Sequence, residues 1–389
     1  MQRKYFIRKE IGCRSHTKSK ILQRKARPDD AQAGAKGNAQ KMRKILVIQQ
    51  KMIGDVLAST VICRAVKEKF PHAEVHYLVH PSTQPVVVFN PYIDKIVLFP
   101  TQIKGFSGLK KYGQTLQKEH YDAVIDAYGK WESIIPAYFS KAKIRIGFRK
   151  WYTSPFYTKT VIPAANVAGS AIHHRLQLAE ALTGEFSNIS FPEIFLGDDE
   201  SLEAQATVSA LPGSGKIIMI SVLGSGTNKS LPAAQMAEML DIMANFDVRL
   251  LFNYMPSQEQ EAAEIYRLCE EKTQQKIIFN FKMTALRDFI TVLSKCDALV
   301  GNEGGAVNMA KALRIPTFTV FSPWINKSSW DMLTDSGMHE AVHLMDYEPE
   351  IYKGIHPKKL RKQAIELYSR LKPELFRQKL EDFMTGISG

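Results

Sequence analysis

Two series of short apolar strands that alternate with helices constrain this chain to an α/β architecture. The first series begins with the run KILVIQ at Lys44–Gln49, which has the length and β-branched content of a buried parallel strand. A helical repeat of apolar residues follows at Val56–Phe70. Strands that alternate with helices form βαβ units, so the pattern predicts a parallel sheet. The other elements predicted in this half are strands at Glu74–Val79, Ile96–Phe99 and Ala123–Ile125 and a helix near Leu109–Lys118.

The same alternation restarts after Ser187–Gly215, a segment rich in Gly, Pro, Ser and acidic residues that we interpret as an interdomain connection with a short helix at Glu200–Ala210. The elements predicted in the second half are strands at Lys216–Val222, Val248–Asn253, Lys276–Asn280, Ala298–Gly301 and Thr317–Phe321 and helices at Ala233–Asn245, Glu259–Lys272, Leu286–Ser294 and Gly304–Leu313. The 389 residues also exceed the roughly 250–300 at which single cores stop growing. We therefore predict two Rossmann-like domains whose parallel sheets face a central cleft.

These patterns divide the chain into five parts. The predicted parts are a basic, disordered extension at 1–41, an N-terminal Rossmann-like domain at 42–195, a linker at 196–212, a C-terminal Rossmann-like domain at 213–350 and basic amphipathic helices at 351–389. Most of the net charge of +13 lies in the first part, which contains twelve Lys or Arg and three Asp or Glu. A basic extension can contact nucleic acid or anionic lipid. We favour an extension without such a role, so no nucleic-acid partner is expected.

The stretch Ile355–Met384 combines an apolar face with a face rich in Lys and Arg, and Pro373 is placed to begin a second helix. Such a helix can lie on an anionic membrane, or it can pack its apolar face on the protein body, and both interpretations stay open. No apolar run approaches the ~18 residues of a membrane-spanning helix. The widely spaced cysteines fit a reducing cytoplasm; they are Cys13, Cys63, Cys269 and Cys296.

The first of three candidate ligand loops, Gln50–Asp55, follows the first strand, at the end where open α/β sheets bind ligands. It lacks the glycine pattern of a dinucleotide-binding loop and places Asp55 at the start of a helix. One interpretation is a helix N-cap, a position that Asp fills well. The other is a general base that takes a proton from an attacking hydroxyl. Considered alone, the loop favours the N-cap.

The second loop, Gly224–Pro232, follows the strand at Lys216–Val222. Its glycines and hydroxyls let backbone N–H groups approach an anion, and its lysine adds a positive charge. A flexible connection is an equal alternative. On the ligand interpretation, the candidate phosphate-binding residues are Ser225, Thr227 and Lys229.

The third loop, Gly301–Asn308, lies between a strand and a helix, whose start offers unpaired N–H groups to a diphosphate. Three glycines, an acid and two amides within eight residues favour a ligand site over a plain glycine-rich turn. The candidates are Glu303, Gly304, Gly305 and Asn308. No Asp-x-Asp motif and no His/Cys/Asp cluster with metal-ligand spacing occurs in the sequence. We therefore expect no metal or other cofactor.

Taken together, four segments resemble glycosyltransferase family 9, the bacterial heptosyltransferases of lipopolysaccharide core synthesis. No single segment is specific, but their combination in this order is. They span about Arg43 to Trp324 and consist of KILVIQQKMIGDVLASTVICRAVKEKFPHAEVHYLV, YDAVIDAYGKWESIIPAYFSKAKIRIGF, the loop Lys229–Pro232 and VGNEGGAVNMAKALRIPTFTVF. The resemblance implies a GT-B fold and a metal-independent transfer with inversion at the anomeric carbon, with ADP-heptose as the usual donor.

The resemblance also assigns residues. Asp55 stands at the family's proposed catalytic base, and Lys229 stands at its donor-phosphate lysine. Glu303 stands where the family usually has Asp, Asn308 where it usually has His, and Gly304 replaces a small hydroxyl residue. All three departures line the donor site that the resemblance implies. In a loose alignment, Glu259 or Glu261 matches an acid that contacts the nucleoside.

We therefore expect an inverting transferase that acts on a lipopolysaccharide core or a related surface glycan, as a cytoplasmic protein that can contact the inner membrane peripherally. The alternative is a degenerate family member that binds a nucleotide-sugar or glycan without transfer. Retention of Asp55 and Lys229 favours the enzyme. We expect an anionic glycolipid acceptor to contact basic residues in or near loops that follow the predicted strands, namely Lys51, Lys130, Arg145, Arg149 and Lys150.

Overall fold

The computed structural model describes residues 42–165, 169–189, 191–281, 283–330 and 337–388. The predicted extension at 1–41 lies outside these ranges. Within them, the chain forms two six-stranded sheets with helices between the strands, as the alternation in the sequence predicts.

The first sheet is built around the strand that follows Met42 and Arg43. Its strands are β1 (Lys44–Ile48), β2 (Glu74–Val79), β3 (Lys95–Leu98), β4 (Ala123–Asp126), β5 (Ile144–Phe148) and β6 (Lys159–Val161). Their order is β3-β2-β1-β4-β5-β6, and every neighbouring pair is parallel. Ile45–Ile48 are completely buried, because β1 is covered on both faces.

The second sheet repeats this plan. Its strands are β7 (Lys216–Ser221), β8 (Val248–Asn253), β9 (Ile277–Ile278), β10 (Ala298–Asn302), β11 (Thr317–Val320) and β12 (His339–Val342). Their order is β12-β11-β10-β7-β8-β9, again with parallel neighbours throughout. In each sheet the order reverses beside a central strand, at β1 and β4 in the first and at β10 and β7 in the second, where α/β folds bind ligands.

Among the described residues, the first half and the linker contain five α-helices. They are α1 (Ile53–Lys69), α2 (Gly105–Gln117), α3 (Trp131–Phe139), α4 (Ser170–Thr183) and α5 (Asp198–Ser209). The helices of the second half are α6 (Ala233–Met243), α7 (Glu259–Leu268), α8 (Glu271–Gln274), α9 (Leu286–Leu293), α10 (Gly305–Ala312) and α11 (Lys327–Trp330). Three more close the chain: α12 (Pro357–Lys362), α13 (Ala364–Arg370) and α14 (Pro373–Ser388).

Several elements differ from the sequence-based expectation, among them three strands, one helix boundary and the helices α3 and α4, which were not predicted. The strands β5, β6 and β12 were not predicted, because each contains a charged residue that breaks the apolar run. The single helix predicted at Glu259–Lys272 is wrong. Cys269 adopts an extended backbone with ψ of 152°, and the amide of Glu270 donates to Asp241 Oδ1 at 3.0 Å, so the segment divides into α7 and α8.

The apolar face of the C-terminal helices packs on the second domain. Phe376, Leu380 and Phe383 of α14 are buried in one cluster with Phe318 and Val320 of β11. The structure therefore agrees with the packed interpretation of this stretch, in which the basic side chains face outward. Among the described residues, no helix is both long and apolar enough to span a membrane.

The connection between the domains is fixed at Glu193. Its carboxylate pairs with Arg64 of α1 at 3.4 Å and with Arg314, which follows α10, at 2.6 Å. The next residue continues this contact, because the amide of Ile194 donates to the carbonyl of Ala312 at 3.1 Å. One carboxylate is thus shared between the two halves of the fold.

Candidate functional site

The starts of two helices meet between the domains. The helix α1 follows β1, and α10 follows β10, so both begin at the carboxyl ends of their sheets. A Cβ atom added to Gly305, the first residue of α10, would lie 3.5 Å from the Cβ of Ile53, the first residue of α1. Each helix start carries unpaired N–H groups and a partial positive charge. The two first turns therefore create a place that favours an anion.

Asp55 lies in the first turn of α1, but it does not cap the helix. Met52 occupies the N-cap position, and no side chain accepts a capping hydrogen bond there. Capping therefore does not explain the carboxylate. Instead, Asp55 Oδ1 accepts a hydrogen bond of 2.6 Å from Arg175 Nη2, and about a third of the Asp55 side chain stays exposed.

Arg175 is a site residue that sequence reasoning missed. It belongs to α4, and its guanidinium also donates to Ser59 Oγ at 3.1 Å and to the carbonyl of Ala171 at 2.6 Å. These three bonds fix the guanidinium against α1, so it orients the Asp55 carboxylate. No local motif contains this pair, because its members are 120 positions apart in the chain.

The loop after β7 is held by hydrogen bonds among its own residues. Ser230 Oγ accepts from the amide of Gly224 at 2.9 Å and donates to the carbonyl of Gly226 at 3.1 Å. A Cβ atom on Gly224 would lie 2.1 Å from the carbonyl oxygen of Lys229, so only glycine permits this close approach. These contacts favour a loop with a defined conformation over a flexible connection.

Asn302, the last residue of β10, holds the two donor-side loops together, and sequence reasoning did not single it out. Its buried side chain donates to the carbonyls of Ser221 and Val222 at 3.1 and 3.0 Å and accepts from the amide of Leu231 at 2.7 Å. Gly301 beside it has a φ of +131°, and a Cβ atom there would lie 2.4 Å from the carbonyl oxygen of Ser221. The glycine-rich motif thus serves close packing as well as ligand access.

Lys229 and Glu303 face each other across these loops. Lys229 Nζ lies 3.0 Å from Glu303 Oε1, and the Glu303 side chain is only 12% exposed. The same ammonium lies 5.6 Å from the ring centroid of Trp324, over its face, a favourable cation–π geometry. The site therefore contains a paired cation beside the start of α10.

A C-terminal tyrosine approaches the same pair. Tyr368 of α13 is completely buried, and its pKa lies well above the usual value because of burial and, to a smaller extent, the Glu303 carboxylate. The C-terminal helices therefore contribute to the wall behind the donor-side loops.

The remaining donor candidates surround this pair with different exposure. Ser225 and Thr227 are exposed, while Gly304, the N-cap of α10, has open space where a Cβ would stand. Asn308 lies in the first turn of α10, and its backbone N–H donates to the carbonyl of Gly304 at 3.2 Å. Glu259 lies exposed at the start of α7. The pKa of Tyr254 is raised mainly by the burial of Tyr254 and to a smaller extent by the charge of Glu259.

Four of the five acceptor candidates follow strands of the first sheet, and one does not. Lys130 is the N-cap of α3, Arg149 and Lys150 follow β5, and Lys51 follows β1. Lys150 Nζ donates to the carbonyl of Gly129 at 3.2 Å, which brings Lys150 beside Lys130.

Arg145 requires a correction, since we predicted it in or near a loop after a strand. It lies inside β5, near the amino end of that strand. Its guanidinium donates to the carbonyls of Ala142 and Phe156 at 2.6 and 3.1 Å. The structure therefore separates Arg145 from the carboxyl-end loops that carry the other four residues.

A buried carboxylate organises the Lys130 loop. Asp126 Oδ1 accepts from the amides of Tyr128 and Gly129 at 3.0 and 2.9 Å, and Oδ2 accepts from the Tyr157 hydroxyl at 2.8 Å. Complete burial raises the pKa of Asp126, against the lowering effect of these bonds. Asp126 thereby shapes the turn that places Lys130 at the carboxyl edge of the first sheet.

Comparison with known proteins shows which family this chain resembles. The model of glycosyltransferase family 9 (heptosyltransferase) matches residues 109–340. Lipopolysaccharide heptosyltransferase 1 of Campylobacter coli is 23% identical over 289 residues, which cover 72% of this chain and 83% of that protein.

Two solved structures share the fold. The family 9 glycosyltransferase of Veillonella parvula has a TM-score of 0.71 at 18% identity, covering 90% of this chain and 99% of that one. The ADP-heptose lipopolysaccharide heptosyltransferase II of Escherichia coli has a TM-score of 0.63 at 16% identity, covering 84% and 99%. With the family model matching more than half of its length, this chain belongs to glycosyltransferase family 9, the heptosyltransferase family.

Proposed function

We propose that this chain transfers the heptose of ADP-heptose to a glycolipid acceptor of the lipopolysaccharide core, with inversion at the anomeric carbon and without a metal ion. Its family consists of nucleotide-sugar-dependent glycosyltransferases. The names of the relatives from Campylobacter coli and Escherichia coli supply the lipopolysaccharide acceptor and the ADP-heptose donor.

The observation that carries the proposal is the meeting of α1 and α10 between the domains. It places the helix turn that carries Asp55 against the turn that begins at Gly305. In this arrangement the Asp55 carboxylate takes the proton of the acceptor hydroxyl while the hydroxyl oxygen attacks the anomeric carbon. The N–H groups at the start of α10, together with Lys229, stabilise the negative charge that grows on the leaving diphosphate.

The absence of a metal ion from the proposed reaction rests on the supply of positive charge by the protein. Among the residues that the structure describes, no group of three or more His, Cys, Asp or Glu side chains is arranged to hold a metal. Lys229, the helix start and the backbone amides of the loop after β7 are the groups that we propose in its place.

The direct test is a transfer assay with the purified full-length chain, ADP-heptose and a lipopolysaccharide inner-core acceptor that lacks heptose. We expect ADP release, a product whose anomeric configuration is inverted by NMR, and unchanged rates with EDTA. A thermal-shift screen of ADP-, GDP-, UDP- and CMP-sugars should give the largest rise in Tm with ADP-heptose.

Each result can contradict a different part of the proposal. Binding of ADP-heptose without ADP release would support the alternative of a degenerate family member. A larger Tm rise with another nucleotide would reject the donor. Loss of activity in EDTA that Mg²⁺ restores would reject metal independence.

A further inference from the structure

Seven aromatic rings form one continuous chain of contacts along α3 in the first domain. In order of contact, the rings of this aromatic strip are Phe106, Phe139, Tyr138, Phe156, Trp131, Tyr152 and Trp151. Neighbouring centroids lie between 5.3 and 6.2 Å apart. Trp131 begins α3 and Phe139 ends it, so the strip follows the whole helix.

The strip is unusually open to solvent. None of the seven rings is buried, and the exposed fractions are 90% for Trp151, 59% for Phe106 and 46% for Trp131. The removal of large aromatic side chains from water normally lowers the free energy. A cluster of exposed aromatic side chains therefore marks a surface that contacts another apolar phase.

Positive charges lie directly on the strip. Lys141 Nζ stands 5.2 Å from the ring centroid of Tyr138, Lys110 Nζ stands 5.4 Å from that of Phe139, and the Arg145 guanidinium stands 5.6 Å from that of Tyr138. Between residues 130 and 156 the sequence contains six Lys or Arg and one acid, Glu132. This segment is therefore strongly basic, although residues 42–389 together are nearly balanced with 40 basic and 36 acidic side chains.

We propose that the aromatic strip and its cations dock the protein on an anionic lipid bilayer. Trp and Tyr rings are favoured at the membrane interface, where an apolar body meets a polar edge. Each Lys or Arg near an anionic surface adds about 1 kcal/mol of attraction, or roughly fivefold in binding. The combination of rings and cations on one face matches both requirements.

The position of the strip deepens the proposed function, on which this step rests. Trp131 and Tyr152 follow β4 and β5, beside Lys130 and Lys150 at the carboxyl edge of the first sheet. A bilayer that contacts the strip is therefore adjacent to Lys130 and Lys150, two of the basic residues that we assign to the acceptor. In this arrangement a glycolipid stays anchored by its acyl chains while its sugar reaches Asp55.

The docking test measures partition of the full-length chain onto vesicles of equal parts phosphatidylglycerol and phosphatidylcholine by cosedimentation. We expect the aromatic variant, Phe106→Ser with Trp151→Ser, to bind at least about tenfold more weakly than the wild-type chain. The charge variant, Lys141→Gln with Lys143→Gln, should lose roughly fivefold per charge. Vesicles of phosphatidylcholine alone should bind the wild-type chain weakly.

Matched controls replace exposed side chains elsewhere on the protein. Leu202→Ser with Leu268→Ser and Lys272→Gln with Lys353→Gln should leave vesicle binding unchanged. All variants retain residues 1–41, so any lipid binding by that basic segment is common to them and cancels in the comparison.

Two results would overturn the docking proposal. One is vesicle binding that the aromatic and charge variants leave intact. The other is selective loss of binding to a single-stranded oligonucleotide with vesicle binding retained, which would make the strip a nucleic-acid surface.

A transfer assay with a soluble, deacylated acceptor separates this proposal from the proposed function. The aromatic variant should keep wild-type kcat/KM there, which also shows that it folds. Failure of the wild-type chain to transfer heptose would reject the function, while the vesicle result would still decide the docking.

Discussion

The Arg175 guanidinium holds the carboxylate of Asp55, which we propose as the base. A replacement of Asp55 that keeps this hydrogen bond is therefore informative. Asp55→Asn preserves the size of the side chain and a hydrogen-bonding oxygen for Arg175 but removes the proton acceptor. We expect turnover to fall by about 10²–10⁴-fold, the range of acid–base catalysis, while donor affinity stays close to wild type. Steady-state transfer kinetics and a donor titration measure the two effects.

Asp199→Asn is the matched control for this change, since Asp199 also lies in the first turn of a helix, α5, and is exposed. It should leave both quantities unchanged. Near-normal turnover of Asp55→Asn would remove this carboxylate from the mechanism.

Because Lys229 and Glu303 form an ion pair, the effect of replacing one of them should depend on whether the other is present. Lys229→Ala removes the ammonium and leaves the largely buried Glu303 carboxylate facing the incoming diphosphate. A charge-assisted contact is worth roughly 1.5–3 kcal/mol, and we expect kcat/KM to fall by at least the corresponding ~10–150-fold. The loss should exceed the loss in donor affinity, because the charge on the diphosphate grows in the transition state.

Adding Glu303→Gln to Lys229→Ala should recover part of that loss, because the repulsion is removed together with its partner. Transfer kinetics of the two single variants and the double variant complete the cycle. A double variant that is weaker than Lys229→Ala would mean that Glu303 contacts the donor directly and favourably.

Among the elements, the C-terminal helices are the clearest case for a stability measurement. Phe376 is buried against β11, whereas the adjacent Leu375 is 42% exposed on the same helix, α14. Phe376→Ala should lower the free energy of unfolding by about 3–5 kcal/mol, and Leu375→Ala should change it by about 0.5 kcal/mol or less. Urea unfolding measures both, and equal effects would contradict the packing of α14 on the second sheet.

The elements also show what the sequence alone can predict. Strands such as β1 and β7 were found because their apolar runs are continuous and buried. The strand β5 was missed because Arg145 and Gly147 interrupt it, and Gly147 is needed there since a Cβ atom would lie 2.4 Å from the Tyr157 ring. The Asp55 and Lys229 loops were recognisable as strand-to-helix turns. The partners Arg175, Asn302 and Asp126 were not, because only the folded chain brings them to those loops.

For the whole molecule, buried histidines predict a loss of stability in mild acid. Burial, assisted by the positive charge of Lys311 on α10, lowers the pKa of His339 from 6.5 to about 4. The folded state therefore binds this proton less readily than the unfolded state, so stability is complete above pH 6.5 and is lost as the pH falls toward 4. We expect His339 to account for a decrease of about 2 kcal/mol in the free energy of unfolding between pH 7.5 and 5.

Urea unfolding at the two pH values tests this for wild type, His339→Gln and the exposed control His72→Gln. The difference between the two pH values should shrink in His339→Gln and persist in His72→Gln. An equal difference in all three proteins would exclude His339 as a source of acid sensitivity.

The carboxylate of Glu193 has a mechanical consequence for the two domains. It holds Arg64 on one side and Arg314 on the other, at the connection between them. A closing motion that preserves both ion pairs must turn about an axis near Glu193. As in any lever, the displacement of an atom then grows with its distance from that axis. In such a motion, small torsional changes at the connection would produce larger displacements at the far rim of the cleft, while the contacts nearest Glu193 would move little.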